Sequence, residues 1–189
     1  MRKLFRMMVG LAAVALFASL LTTVNVGTAS SDQHDTPDAA YWLVAEDGEV
    51  FVFGEAEVYG NAVVPDGAIA IDLVSAPDGL GYWILLSDGS VQHFGSAGEI
   101  AHTVALPDGE AAVAFALTTS GAGLWVFGAS GSVALHGDAV SYGDASDIDL
   151  NEDIIDAVVT ADGLGYYMLG KDGGVFTFGS ARFHGSVPG

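Results

Sequence analysis

The sequence predicts an all-β protein: a β-propeller-like array of four roughly 42-residue, four-stranded repeats, the first blade lacking one strand. Three observations carry this prediction: a fixed period, turn dipeptides at fixed offsets inside it, and tandem aromatics that need cover on both sides. The anchor Tyr41-Trp42 recurs as Tyr82-Trp83, Leu124-Trp125 and Tyr166-Tyr167, at steps of 41, 42 and 42. Six residues after the first member of each anchor comes Asp47-Gly48, Asp88-Gly89, Ser130-Gly131 or Asp172-Gly173. Six further on stands Phe53-Gly54, Phe94-Gly95, His136-Gly137 or Phe178-Gly179. Adjacent strand residues point to opposite faces, so Tyr82 and Trp83 cannot share one core. Twisted blades packed on neighbours at either side cover both.

The second unit justifies each strand in turn. Ile69 to Ser75 is a short apolar run rich in β-branched residues, bounded by Pro77-Asp78-Gly79. Gly81 to Leu86 is the next strand and Asp88-Gly89 its hairpin turn. Ser90 to Phe94 is the third strand, and the shorter Glu99 to Val104 the fourth. In order these are strands a, b, c and d. No stretch after residue 30 holds a helical period for three turns. A β-solenoid also has a fixed period, but its coils are shorter and the recurrent hairpin turns favour antiparallel strands. Unit one begins at strand b, because Ser31 to Ala39 is polar, contains proline and makes a poor strand. Unit four ends with strand d at Phe183 to Val187. The expectation is a four-bladed ring with one thin blade, or an arc completed by a partner.

The units resemble a repeat of secreted, mainly actinobacterial proteins, with an approximate pattern GGGYW-(x)4-DGGVF-x-FG-x-A-x-F-x-GS. Unit four matches best, from Gly163 through Tyr166-Tyr167, Asp172-Gly173-Gly174-Val175-Phe176 and Phe178-Gly179 to Gly185-Ser186. Unit two departs at Gln92-His93 and at Ile100-Ala101, and unit three at Ser130 and His136. The resemblance covers residues 40 to 187. More distantly, the units are similar to the repeat of chromosome-condensation-regulator-type propellers. The resemblance implies a secreted propeller-like module with no defined activity of its own, often carried beside cell-wall hydrolases or peptidases.

Residues 1–29 have the character of a signal peptide. Arg2, Lys3 and Arg6 precede the uncharged apolar run Met7 to Val24, and Gly27 and Ala29 occupy the −3 and −1 positions of a cleavage site. Cleavage after Ser30 and retention as an anchor are the alternatives. A polar linker of residues 30–39 then leads to the four-repeat domain of residues 40–189. With the leader removed, only Lys171 and Arg182 remain against all 24 carboxylates, a net charge near −22. Such a surface repels nucleic acid and anionic lipid, which need Lys and Arg to neutralise phosphate. There is no cysteine, hence neither a disulfide framework nor thiolate chemistry.

Candidate sites are few. Asp147, Asp149, Asn151 and Asp153 stand at alternate positions like the first half of a calcium loop. Glu152 replaces the needed glycine, and Val158 stands where the bidentate glutamate should be, so a weak calcium site is the most this segment offers. Asp72 and Asp156 share one place in strand a, with Ala114 between them in the third unit. If strand a is innermost, these two rim a central channel as candidate ligand-binding residues. His136 and His184 fall on framework positions and read as packing residues, while His93 lies one residue before Phe94 on the same strand. No cofactor is expected, and no catalytic residue is assigned: there is no Gly-x-Ser-x-Gly elbow, no HExxH and no phosphate-cradling loop.

The sequence therefore points to a secreted or cell-surface, non-enzymatic binding or scaffold module. Its expected partner is a protein or glycan, with a homodimer completing the ring as a further partner. A carboxylate-based polysaccharide hydrolase and a calcium-dependent structural protein are the alternatives.

Overall fold

A computed structural model describes residues 40–100, 103–107 and 109–187. The leader and linker expected at residues 1–39 lie outside the described residues, as do Pro188 and Gly189. Eleven strands and no helix make up what is described. Blade 1 is the hairpin β1 (Tyr41–Val44) and β2 (Val50–Phe53). Blade 2 is β3 (Ala70–Ser75), β4 (Gly81–Leu86) and β5 (Val91–Gly95). Blade 3 is β6 (Ala112–Leu117), β7 (Leu124–Gly128) and β8 (Val133–His136). Blade 4 is β9 (Ile154–Val159), β10 (Gly165–Gly170) and β11 (Val175–Gly179). Within every blade the strands pair antiparallel in sequence order, so strand b lies in the middle of blades 2, 3 and 4.

The hairpin dipeptides sit where the period places them. Gly48, Gly89, Gly131 and Gly173 all have φ between 82° and 87°, a region in which a Cβ clashes with the backbone. The expected strand d is different. In all four units it is extended chain that gives one backbone bond to that same glycine, and in unit two Thr103 also bridges Ser90 antiparallel. Ala62, Val104, Ala145 and Val187 each donate N–H to the glycine carbonyl, at 2.9, 3.0, 2.8 and 3.1 Å. The second rung goes to a side chain in two units: Val50 N–H donates to Asn61 Oδ1 (3.0 Å) and Val175 N–H to Ser186 Oγ (3.0 Å). A side-chain acceptor that replaces a ladder carbonyl stops strand propagation, so blade 4 has three ladder strands rather than four, and blade 1 two rather than three.

Blades stack through strand a, as expected for an innermost strand: β3 packs on β6 and β6 on β9, while β1 takes this place for blade 1 and packs on β3. Each junction has its own apolar cluster. Trp42, Val50 and Ala62 of blade 1 meet Leu73, Tyr82, Ile84 and Leu86 of blade 2. Trp83, Leu85 and Val91 of blade 2 meet Phe115, Leu124 and Val126 of blade 3. Trp125 and Phe127 of blade 3 meet Ile154, Tyr166 and Met168 of blade 4. The alternation reasoned from tandem aromatics is borne out: the first aromatic of a pair faces the blade before, the second the blade after. No cluster joins blade 4 to blade 1, so the described residues form an open arc.

Two further hydrogen bonds, both made by side chains, repeat with the period. The indole Nε1 of Trp42, Trp83 and Trp125 donates to the carbonyl of Glu57, Gly98 and Val140, at 2.8, 2.7 and 2.8 Å, in each case fifteen residues on. In unit four the Tyr167 hydroxyl takes this role in reverse, accepting from Arg182 N–H at 3.1 Å. The second repeat joins blades. Tyr82 Oη donates to Gly60 O (2.6 Å) and accepts from the N–H groups of Tyr59 (3.1 Å) and Gly60 (3.0 Å). Tyr166 Oη likewise donates to Gly143 O and accepts from Tyr142 N–H. Among the described residues no buried side-chain polar atom lacks a partner.

Candidate functional site

Antiparallel order puts the a–b and c–d turns of every blade at one end of the array. At that end a carboxylate and a hydroxyl clasp each other across the two turns of a blade. In blade 2, Ser96 Oγ donates to Asp78 Oδ1 at 2.7 Å, and Leu80 N–H donates to the same oxygen at 2.9 Å. In blade 4, Thr160 and Ser180 hydroxyls donate to Asp162 Oδ1 at 2.5 and 2.8 Å. Blade 3 reverses the chemistry: Ser120 takes the aspartate's place on the a–b turn, and the carboxylate comes from Asp138 on the c–d turn. Ser120 Oγ donates to Asp138 Oδ2 (2.5 Å) and Thr118 Oγ1 to Asp138 Oδ1 (2.7 Å).

These contacts hold the carboxylates ionised. Asp78 lies below the ordinary aspartate range because of the Leu80 N–H and then the Ser96 hydroxyl. Asp138 is lowered by the Ser120 and then the Thr118 hydroxyl, and Asp162 by the Thr160 hydroxyl, the Leu164 N–H and the Ser180 hydroxyl. Asp138 and Asp162 line a cleft of about 160 Å³ between blades 3 and 4, with Trp125, Val140, Tyr142 and Leu164 supplying apolar wall. An exposed cleft with aromatic walls and two fixed negative charges suits a basic group on an apolar stem.

The residues singled out from the sequence are dispersed by the fold. Asp72 is buried inside the junction of blades 2 and 3, where its Oδ2 accepts from Phe115 N–H at 3.2 Å. It therefore bridges two blades instead of rimming a channel. Asp156 accepts from Ala157 N–H at 2.8 Å and lies in an open, mostly apolar cleft of about 170 Å³ on blade 4, with Tyr167, Leu169 and Val175. The two differ in surroundings because blade 3 covers the first and no described blade covers the second. Asp147, Asp149, Asn151 and Asp153 are all exposed on the connection into β9. They are not drawn together: among the described residues no three acidic or histidine side chains converge on a point that could hold an ion. Asp147 belongs to a turn closed by Ile148 N–H on Ala145 O, and the other three lie beyond it. His136 and His184, expected to pack, are exposed, and so is His93. In a free strand c or d edge, the outer side of the position faces water whatever the unit-to-unit pattern suggests.

Sequence reasoning missed Asp138, Asp162 and Glu110. Glu110 fills the gap left by Ser130 in the third hairpin: its Oε1 accepts from Ser130 N–H (2.7 Å) and Ser130 Oγ (2.6 Å), and its Oε2 from Ser132 Oγ (2.6 Å). A signal existed, since Asp78, Ser120 and Asp162 are spaced by one period, as are Ser96, Asp138 and Ser180.

No protein-family model matches the chain, and no curated protein sequence does. A chain in the crystal structure of the mitotic checkpoint complex, a propeller protein, is similar in structure, with a TM-score of 0.50 and 13% identity. The match covers 86% of this chain and 57% of that one, so this chain spans little more than half of that structure's length. At this identity the likeness bears on fold alone, and with the geometry above it defines the class: an all-β, propeller-like blade array.

Proposed function

We propose that this chain is a secreted, non-enzymatic binding or scaffold module that takes a basic segment of a protein at its a–b and c–d turn face. The observation that carries this reading is the cleft between blades 3 and 4, where Asp138 and Asp162 are fixed as anions beside aromatic wall. Net charge supports it, since cationic ligands are drawn to a strongly acidic surface. The resemblance to secreted actinobacterial repeats and the basic, then apolar, N-terminal segment support an extracellular setting. A hydrolase is the weaker reading, because the carboxyls gripped by the turns are shifted downward, away from what a general acid needs. A calcium-held structural role has no assembled ligand set to rest on among the described residues.

The test is binding of Lys- and Arg-rich peptides against acidic peptides of equal length, measured by fluorescence polarisation at two salt concentrations. Saturable, salt-sensitive binding of the basic set, weakened at least about tenfold by Asp138→Asn with Asp162→Asn, is expected for a fully engaged charge pair. Equal binding of both sets, or turnover of a polysaccharide panel, sinks it. Secretion is checked separately: the N-terminus of exported protein should begin at Ser30 or Ser31.

A further inference from the structure

The two ends of the arc are the two halves of one blade junction. Each inner junction seats the backward face of a blade on the forward face of the one before it. On forward faces Leu85 and Phe127 are fully buried, but their counterpart Leu169 on blade 4 is 38% exposed. Val104 is 4% exposed, and its counterpart Val187 is 70% exposed. The open cleft of Asp156, Tyr167, Leu169 and Val175 is this uncovered forward face. On backward faces Tyr82 and Ile84 are fully buried, whereas their counterparts Tyr41 and Leu43 are partly exposed.

The glycine that receives each incoming blade tells the same story. A Cβ on Gly60 would strike the Phe94 ring, and one on Gly143 would touch the Phe178 ring, each from the next blade. The third member of this row, Gly185, has nothing near the Cβ direction. The ring that would fill this space is Phe53, which is 43% exposed at the far end of the arc. Its neighbour Tyr41 lies flat on it, with centroids 4.8 Å apart and planes at 13°. In the docked blades the equivalent pairs Tyr82–Phe94 and Tyr166–Phe178 are tilted at 43° and 45°. There the tyrosine ring leans away from its phenylalanine, and its hydroxyl bonds the glycine carbonyl of the blade before.

We infer that blade 1 of a second copy docks on blade 4, head to tail, with its Tyr41 and Phe53 on the first copy's His184-Gly185. This proposal is independent of the ligand reading above. The contact is heterologous, so it closes when the rotation per blade allows. Two copies closing reciprocally give eight blades, within the roughly 4–8 found in propellers. Both copies are strongly acidic, so salt strengthens the contact by screening.

The test uses the purified chain in sedimentation equilibrium at low and high salt, with a photoreactive benzoyl-phenylalanine replacing Tyr41. The expected result is a dimer favoured by salt, and a crosslink from position 41 to the segment around His184 and Gly185 of another copy. An open head-to-tail chain with that same crosslink also supports the contact. Leu169→Lys, at an already exposed position, should leave the thermal melt of dilute protein unchanged while weakening association at least about tenfold, as expected when a charge replaces an apolar contact group. Monomer mass throughout, a crosslink from position 41 to position 41, or an association constant unmoved by Leu169→Lys each overturns the proposal.

Discussion

Blade 3 and its two neighbours build the same object from different residues. Where blades 2 and 4 present Tyr82 and Tyr166 to a glycine carbonyl, blade 3 presents Leu124, and the facing residue is Ile100, packed against the same apolar cluster. Where blades 2 and 4 carry aspartate on the a–b turn and serine on the c–d turn, blade 3 carries serine and aspartate. Asp88 and Asp172 cap their own hairpins at 2.9 Å, whereas Ser130 has its carboxylate supplied by Glu110. Partners change together in all three places. What the fold holds fixed is an interaction at a position: a hydrogen-bonded latch or an apolar contact at the junction, and a carboxylate facing a hydroxyl across the turns.

The sharpest way to break this comparison is at the junctions. Leu124 is fully buried and has no polar role, so Leu124→Ala removes transfer energy and leaves a cavity. It should cost about 2–5 kcal/mol in chemical denaturation. A loss well under about 1 kcal/mol would mean that blades 2 and 3 are not held by this apolar contact.

Tyr82→Phe at the hydrogen-bonded junction should cost less, about 1–3 kcal/mol, because the ring remains while one carbonyl and two N–H groups lose their partner. The two junction types should also differ in alkali. Burial raises the Tyr82 and Tyr166 hydroxyls above the ordinary value of 10.0. An acid whose folded pKa is raised stabilises the fold below its unfolded pKa, and this is lost as pH rises through the folded value. Stability should therefore fall above about pH 10, and Tyr82→Phe should flatten part of that fall. Leu124→Ala should leave its shape unchanged. Identical alkaline limbs in the native chain and in Tyr82→Phe would remove the hydroxyl latch from the account.

The period made the fold legible before any coordinates. Anchor aromatics, hairpin glycines and the forward and backward facing of Tyr82 and Trp83 all follow from spacing and strand alternation. Strand d is not a full ladder strand, and the apolar look of segments such as Glu99 to Val104 does not reveal that a hairpin glycine supplies one backbone rung, nor that in units one and four a side chain takes the next. The site was mostly illegible for a related reason. Asp72 looked like a ligand group because the sequence shows a carboxylate on an inner strand but not the Phe115 N–H facing it. Asp138 and Asp162 were passed over because one unit reverses the order of the pair, and position-by-position comparison hides a reversal.

That reversal gives the finest test. Ser120→Asp alone sets two carboxylates against each other across the turns of blade 3, and Asp138→Ser alone leaves hydroxyls with no anion. Both single variants should melt at lower temperature than the native chain. The double variant rebuilds the arrangement of blades 2 and 4, so it should recover most of the loss, a coupling that a double-mutant cycle measures. The effect should be the smallest of the three, since the pair is exposed to water and salt. Acid sharpens the reading. Asp138 is lowered below the ordinary 3.8 by the Ser120 and Thr118 hydroxyls, so its contribution is present above that value and is lost as pH falls through the lower, folded one. Asp138→Ser should therefore weaken the acid dependence of the melt in this window, and the double variant should restore it through the aspartate at position 120. If the double variant is as unstable as the two singles combined, with no restored acid dependence, the two turns do not exchange roles and the likeness between blades is one of backbone alone.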